Sequence, residues 1–446
     1  AHLFGVRVGL IASALLASAP AFAGEAMIAK TDACLLACVT AAQAALIRIY
    51  GAAQEGRRTG LGLALAFWVA IGAGILIKGP VIVLVVGACF LVLQLRPPQH
   101  GLHAHLRPVL GIFLLLLMVS PWLLAVNDAT DGRFVKEAIG RDMVAKLSNA
   151  QESHAGPPGY YIILVFALFW PAAPFIMQGF HRAFAARSDW RYWFLLSWII
   201  PSWIIFELTA TKLPHYTLPL YPAIAIFAAD AAVNGARNDF PRLQRIETAI
   251  YVAVGLAFSA VVAALPILFR QATLESYAFI AASSIAAATA ATAILILNGR
   301  RIAGAGLAAL ASSALAWTLL GGILPHLDRL NLSTRIANAI DNAGLHPLRD
   351  AAPPVILSGY YEPSAIFLLG TQTILTNGAV SAERFSEGFG AAVVESREEA
   401  AFLMNLATFN VKPLKFAEIE GVNYSNGRGM KISIYRRAAD ETDSQD

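Results

Sequence analysis

Polar and charged side chains stand at the ends of long apolar runs in this sequence, where they could do chemistry. The densest group is TKLPHYTLPLYP at residues 211–222, which joins two apolar runs and holds Lys212, His215 and Tyr216. Its three prolines prevent a helix from running straight through, because each lacks a backbone N–H and clashes with the preceding turn. An ammonium and a phenol at a bilayer surface suit a bound phosphate. Lys and Tyr also act as plain interfacial anchors, and Lys212 alone fits either role.

Two further charges interrupt the apolar runs nearer the N-terminus. Asp32 follows Lys30 where a helix is predicted to begin, so it fits either a reactive carboxylate or a helix N-cap. Lys78 precedes Gly79 and Pro80 at a break between two apolar runs. A tight turn explains the glycine and the proline but leaves the lysine unexplained.

Two more residues have a chemical and a plain interpretation. His154 lies just before the segment GPPGYY at residues 156–161, and a single histidine in a loop is more often solvated than a ligand. Glu207 lies inside a predicted span, where a carboxylate is a functional candidate by default. An ion pair with Lys212 would explain Glu207 more simply.

The composition indicates a membrane protein. Of 446 residues, 57% are hydrophobic and only 14% are charged, and the mean hydropathy is +0.60. These values are too apolar for an ordinary soluble domain. The net charge of +4 is small and dispersed, which argues against nucleic acid as a partner, and the three cysteines follow no metal-binding spacing.

Apolar runs predict about eleven membrane spans. They cover roughly residues 6–23, 33–50, 61–77, 80–95, 108–126, 160–179, 192–209, 216–232, 249–269, 277–297 and 302–324. Arginines concentrate in alternate connections, and the positive-inside rule makes those connections cytoplasmic. The other connections, which hold Asp32, Lys78, His154, Lys212 and His215, are then predicted to share the extracytoplasmic face.

The apolar runs of the sequence become shorter after about residue 325. Short apolar runs at 355–357, 373–375 and 392–394 predict strands between helices, and residues 431–436 alternate like a final strand after an Asn-Gly turn. Ser396 and Glu399 have the spacing of a capping box. We therefore predict a transmembrane domain over 1–324, a small α/β extracytoplasmic domain over 325–438 and a disordered acidic tail over 439–446.

Four strings resemble segments of one family, in the order in which that family carries them. They are AKTDA at residues 29–33, IKGP at 77–80, HAGPPGYY at 154–161 and KLPHYTLPLYP at 212–222. The family is that of the bacterial GT-C glycosyltransferases, which use polyprenyl-phosphate sugars and are related to protein O-mannosyltransferases and the lipid A aminoarabinose transferase. The resemblance implies a polytopic α-helical enzyme of the bacterial inner membrane. Such an enzyme moves a sugar from a polyprenyl phosphate to a lipid or protein acceptor on the extracytoplasmic side.

The resemblance also implies roles for single residues. Asp32 and Lys78 would be catalytic, Lys212, His215 and Tyr216 would bind the donor phosphate, and His154 would ligate a divalent metal ion. In the family, the main catalytic Asp and a second metal ligand lie in a first extracytoplasmic loop that this sequence does not contain. Residues 1–24 look like a signal peptide, but we interpret them as an internal helix. The sequence is then expected to begin inside the protein and, as it stands, to lack activity.

A different class of function fits the same spans. A transporter or flippase for a lipid-linked substrate would carry charges at midplane and internal repeats. The sequence has no visible repeat, and its charges are predicted to gather at one face, so the glycosyltransferase is favoured. The sequence leaves the sugar and the acceptor open.

Overall fold

A computed structural model of the chain describes residues 3–98, 101–136, 156–235 and 240–438. The chain divides into two compact units, one of Ala1–Ala263 and Phe279–Leu320 and the other of Ala264–Ala278 and Gly321–Asp446. His154 and the predicted acidic tail lie outside the described residues.

Most of the chain before residue 327 is helical. In chain order the α-helices are α1 (Val6–Ala17), α2 (Pro20–Met27), α3 (Asp32–Gln54), α4 (Leu61–Lys78), α5 (Val81–Leu93), α6 (Leu102–Leu106), α7 (Pro108–Ala129), α8 (Arg133–Val135), α9 (Tyr160–Leu168), α10 (Ile176–Ala185), α11 (Trp190–Leu208), α12 (Tyr221–Asn234), α13 (Pro241–Leu268), α14 (Glu275–Leu297) and α15 (Arg301–Ala316). The 3₁₀ helices are Trp170–Phe175, Pro214–Leu220, Ala272–Leu274 and Leu324–His326, and Trp317–Ile323 is a π-helix.

Several of these helices can cross a membrane. Among the described residues, seven are long and apolar enough, or nine if each of two bent pairs forms one span. The bends are 55° between α1 and α2 and 105° between α9 and the segment Trp170–Ala185. The two remaining predicted spans coincide with α5, which has only 13 residues, and with α11, which carries two charged residues. The chain is a multi-pass membrane protein.

Small and aromatic residues let the helices of this unit pack closely. Helix α10 lies against α12, and a Cβ atom at Gly179 would come within 2.6 Å of the Phe227 backbone. Only glycine permits that approach, which is typical of packed membrane helices. The rings of Phe169 and Tyr221 stack with centroids 4.8 Å apart. Close packing of complementary surfaces therefore stabilises the bundle in addition to the burial of apolar side chains.

A buried carboxylate stabilises the sharp bend before α10. The Glu247 side chain accepts hydrogen bonds from the Met177 and Gln178 backbone N–H groups, at 2.5 and 3.3 Å, and from the Gln178 amide at 2.5 Å. These backbone groups begin a helix and have no partner within it. The Arg301 guanidinium donates to the side-chain amide oxygen of Gln178 at 2.7 Å and completes the network.

The second unit contains a five-stranded mixed sheet. The strands are β1 (Ile356–Ser358), β2 (Ile374–Thr376), β3 (Ala392–Glu395), β4 (Pro413–Val422) and β5 (Gly429–Arg437), in the spatial order β2-β1-β3-β5-β4. Strand β1 pairs in parallel with β2 and β3, whereas β5 is antiparallel to β3 and β4. The helices of this unit are α16 (Leu332–Asn342), α17 (Pro363–Leu369), α18 (Gly378–Ser386) and α19 (Ser396–Thr408).

The small α/β domain was predicted, with two differences of detail. Four strands lie where the sequence predicts them, and β4 was not predicted. The predicted capping box is wrong, because the residue at the N-cap of α19 is Glu395, whose carboxylate accepts from the Arg397 N–H at 3.2 Å. Glu399 instead accepts a hydrogen bond from the Tyr435 hydroxyl on the neighbouring strand.

Candidate functional site

An ion pair joins the start of α3 to the end of α4. The Lys78 ammonium donates to Asp32 Oδ1 at 2.5 Å, and Asp32 is only 7% exposed. Helix α4 ends at Lys78 because Gly79 turns the chain with φ at 61°. Thr31, not Asp32, occupies the N-cap position of α3, so Asp32 is its first helical residue. Each charge also has the sign that its helix end favours.

His215, from a third segment of the chain, lies beside this pair, and it also contacts Glu25 from a fourth segment. It lies on the 3₁₀ helix Pro214–Leu220, with Nε2 3.7 Å from Asp32 Oδ2 and Nδ1 3.4 Å from Glu25 Oε1. Glu25 lies on α2 and is 9% exposed. We name Glu25, Asp32, Lys78 and His215 the ionic cluster. Residues separated by up to 190 positions in the sequence thus meet at one place.

The ionic cluster has a charge that depends on the imidazole. With a neutral His215, two carboxylates face one ammonium and a negative charge is in excess. An imidazolium would balance the cluster, and it could donate to both carboxylates, whereas a neutral ring donates to one. Burying such charges is costly unless they are paired and hydrogen-bonded. The cluster can therefore hold a proton and position an ammonium at the same point.

The ammonium of Lys78 keeps donor capacity beyond this pair. An ammonium has three N–H donors, and the hydrogen bond recorded for Lys78 uses one of them. The Lys78 side chain is 29% exposed, compared with 9% for that of Asp32. A phosphate oxygen could thus reach the ammonium from the exposed side, while Asp32 holds it from behind.

A second polar group fixes the segment that leads into α9. The Lys212 ammonium donates to the Gly156 carbonyl at 2.8 Å. The two oxygens of Glu207 accept from the backbone N–H groups of Gly159 and Tyr161, at 3.3 and 3.1 Å. The simpler interpretation of Glu207 as the ion-pair partner of Lys212 is wrong, because each side chain binds this backbone separately.

The remaining predicted phosphate ligands lie beside these two groups. Lys212 is 8% exposed, so its ammonium is directed at protein rather than at water. The Tyr216 ring lies against His215 and Phe206, with centroids 5.4 and 6.4 Å away. The predicted roles of these residues as phosphate ligands stay predictions.

The predicted metal site cannot be built from the described residues. Within them, no group of three or more His, Cys, Asp and Glu side chains is arranged to hold a metal ion. His154 lies outside them. The divalent ion therefore stays a prediction.

Sequence reasoning missed Glu25. Its segment, AFAGEAM, ends the stretch that looks like a signal peptide, and that likeness hid the carboxylate. The feature that could have revealed Glu25 is an acidic residue among apolar residues in a predicted membrane region, because such a charge is costly without a partner. Its Oε2 atom is buried and has no hydrogen-bond partner among the described residues.

Known sequences match part of the chain. Residues 1–124 match the family described as dolichyl-phosphate-mannose-protein mannosyltransferase. The undecaprenyl phosphate-α-4-amino-4-deoxy-L-arabinose arabinosyl transferase 1 of Pseudomonas fluorescens is 26% identical over 147 residues, which are 33% of this chain and 27% of that protein. The corresponding transferase of Yersinia pestis is 27% identical over 159 residues, or 34% of this chain and 28% of that protein. The matches thus span little more than a quarter of these relatives' length.

Solved structures match nearly the whole chain. ArnT from Cupriavidus metallidurans bound to undecaprenyl phosphate superposes with a TM-score of 0.72 at 19% identity, covering 97% of this chain and 80% of that one. The apo form gives a TM-score of 0.70. The chain therefore has the polytopic helical fold of these structures, and the polytopic α-helical membrane fold predicted from the sequence is confirmed.

Proposed function

We propose that this chain, a multi-pass protein with the GT-C glycosyltransferase fold, moves a sugar from a polyprenyl phosphate donor to a lipid or protein acceptor. The observation that carries the proposal is the ionic cluster, in which four segments bring two carboxylates, an imidazole and a partly exposed ammonium together. A cluster of this kind lies at the end of an apolar bundle, where the head of a lipid-linked substrate would lie.

The reaction makes three demands on the protein. An acceptor hydroxyl oxygen attacks the anomeric carbon, and the bond from that carbon to the phosphate oxygen breaks. The polyprenyl phosphate leaves with the electron pair, and the hydroxyl proton passes to a base. The protein must neutralise the leaving phosphate, accept the proton and hold the lipid tail in apolar surroundings.

Lys78 and Asp32 meet the first demand together. The ammonium is held from one side by Asp32, so its free N–H donors stay directed at the place where charge develops on the phosphate. Such fixed donors stabilise a transition state because they need no reorganisation during the reaction. His215 lies beside Asp32 through Nε2 and beside Glu25 through Nδ1, so the imidazole and Glu25 provide further sites for a proton in the cluster. Lys212, His215 and Tyr216 are proposed to contact the donor phosphate, and His154 to contribute to a metal site.

The comparisons support the class of donor. The relatives from Pseudomonas and Yersinia are named as arabinosyl transferases of an undecaprenyl phosphate sugar, and one ArnT structure contains undecaprenyl phosphate. We assign the chain to the bacterial inner membrane. The ionic cluster and the sheet domain are proposed to lie on the extracytoplasmic side, because the arginine-rich connections alternate with those that hold the cluster.

A transfer assay tests this function. The full-length protein in proteoliposomes receives a polyprenyl phosphate with a labelled sugar, together with a panel of lipid and protein acceptors. We expect label on an acceptor and free polyprenyl phosphate in equal amounts. Intact donor that moves between leaflets without cleavage would instead indicate a transporter and contradict the proposal.

A further inference from the structure

A cavity lies in the helical unit, along the part of α3 that follows its first two turns. It has a volume of 860 Å³ and is lined by residues of α1, α3, α11 and α12 and by the connection after α3. Asp32 begins α3, and the lining residues Gly51 and Glu55 lie at its far end. The lining of the cavity on α3 starts at Thr40, which at 1.5 Å per residue lies about 12 Å along the helix from Asp32, and no residue of the ionic cluster lines the cavity. The cavity is therefore distinct from the candidate active site.

The cavity combines an aromatic wall with a basic rim. Trp190, Phe194 and Trp198 form part of the wall. Arg48 and Arg58 line the cavity, are exposed and have no ion pair within the described part of the chain. Arg57, by contrast, donates to Glu55 at 2.7 Å. Two unpaired guanidinium groups beside an apolar wall form a site for an anion that carries a hydrophobic tail.

We propose that the cavity binds an anionic phospholipid. Its phosphate pairs with Arg48 and Arg58, and an acyl chain lies along the aromatic wall. The volume is within the range of about 300–1,000 Å³ that is usual for ligand pockets. Basic pockets between membrane helices bind anionic headgroups in this way.

Native mass spectrometry tests the proposal by counting retained lipids. Purified protein is titrated with phosphatidylglycerol and with phosphatidylcholine of the same acyl chains. We expect at least about tenfold tighter binding of phosphatidylglycerol, since two arginines near a phosphate each contribute roughly 1 kcal/mol. The double variant Arg48→Gln/Arg58→Gln should lose this preference. The charge-matched control Arg242→Gln/Arg245→Gln should keep the preference.

A second measurement needs no charge variant. Phosphatidylglycerol with brominated acyl chains should quench tryptophan fluorescence more than brominated phosphatidylcholine, and Trp190→Phe/Trp198→Phe should remove that excess. Inorganic phosphate alone, which lacks a hydrophobic tail, should not bind measurably. Equal binding of the two lipids, or loss of preference in the control, would overturn the proposal. These readouts do not depend on sugar transfer.

Discussion

At the scale of single residues, the pair formed by Asp32 and Lys78 is the feature on which the account depends. Position alone singled out both residues, because each is a charge at the end of an apolar run. Their contact could not be read from the sequence, since it requires α3 and α4 to pack side by side with these ends together. Glu25 shows the same limit, because its relevance follows from the nearby imidazole of a distant segment.

A double-mutant cycle tests the pair. Asp32→Asn and Lys78→Met each leave a partly buried charge without its partner, so each should lower the thermal stability of the protein in detergent. The double variant should be less destabilised than the sum, with a coupling of about 0.5–3 kcal/mol. The same cycle with Lys412→Met, at an exposed lysine of the sheet domain, in place of Lys78→Met serves as the control. Additive effects in the Asp32–Lys78 cycle would show that the contact is energetically unimportant.

At the scale of elements, Glu207 and Lys212 hold the start of α9 from a neighbouring helix and the connection that follows it. The sequence indicated that both residues were unusual, but it suggested that they pair with each other. It could not show that backbone groups of residues 156–161 form hydrogen bonds with both side chains, because this depends on how α9 and α11 pack against each other. Helix starts have unpaired N–H groups, and a carboxylate satisfies them well.

Hydrogen exchange tests the role of Glu207. In Glu207→Leu, the Gly159 and Tyr161 amides lose their acceptors, so amide exchange over residues 159–165 should speed up by about tenfold or more, as losing a bond to a charged group costs about 1.5–3 kcal/mol. Glu207→Gln retains one acceptor oxygen and should have a smaller effect. Glu275→Gln, at the start of another helix, is the control and should leave this segment unchanged. Unaltered exchange in the leucine variant would refute the anchoring role.

At the scale of the whole molecule, the pattern of apolar residues predicted the spans and most of the strands. It did not predict the helix bends or strand β4. The bends of 55° and 105° arise from tertiary packing around proline-containing breaks. Strand β4 was missed because a bulge between Lys415 and Ala417 interrupts its alternation and because charged residues occupy it. A pattern of period two predicts a strand only where the register is regular.

Sided labelling tests the proposed orientation. Lys30 and Arg58 flank the two ends of α3 and are exposed. Single cysteines, Lys30→Cys or Arg58→Cys, are placed in a background in which Cys34, Cys38 and Cys89 are replaced by serine. In spheroplasts, an impermeant maleimide should label position 30 at once and position 58 only after permeabilisation. The reverse order would show that the ionic cluster faces the cytoplasm.

The most direct test of the central claim is the kcat/KM of sugar transfer from a polyprenyl phosphate donor by the full-length protein. Wild type, Asp32→Asn, Lys78→Met and the exposed control Lys412→Met are compared at matched amounts of folded protein. Losing a charge-assisted contact to the phosphate costs about 1.5–3 kcal/mol, so the Lys78 variant should fall by about ten- to a hundredfold. The Asp32 variant should fall comparably, and Lys412→Met should stay within about twofold of wild type. Transfer that continues undiminished in the Asp32 and Lys78 variants would contradict the account.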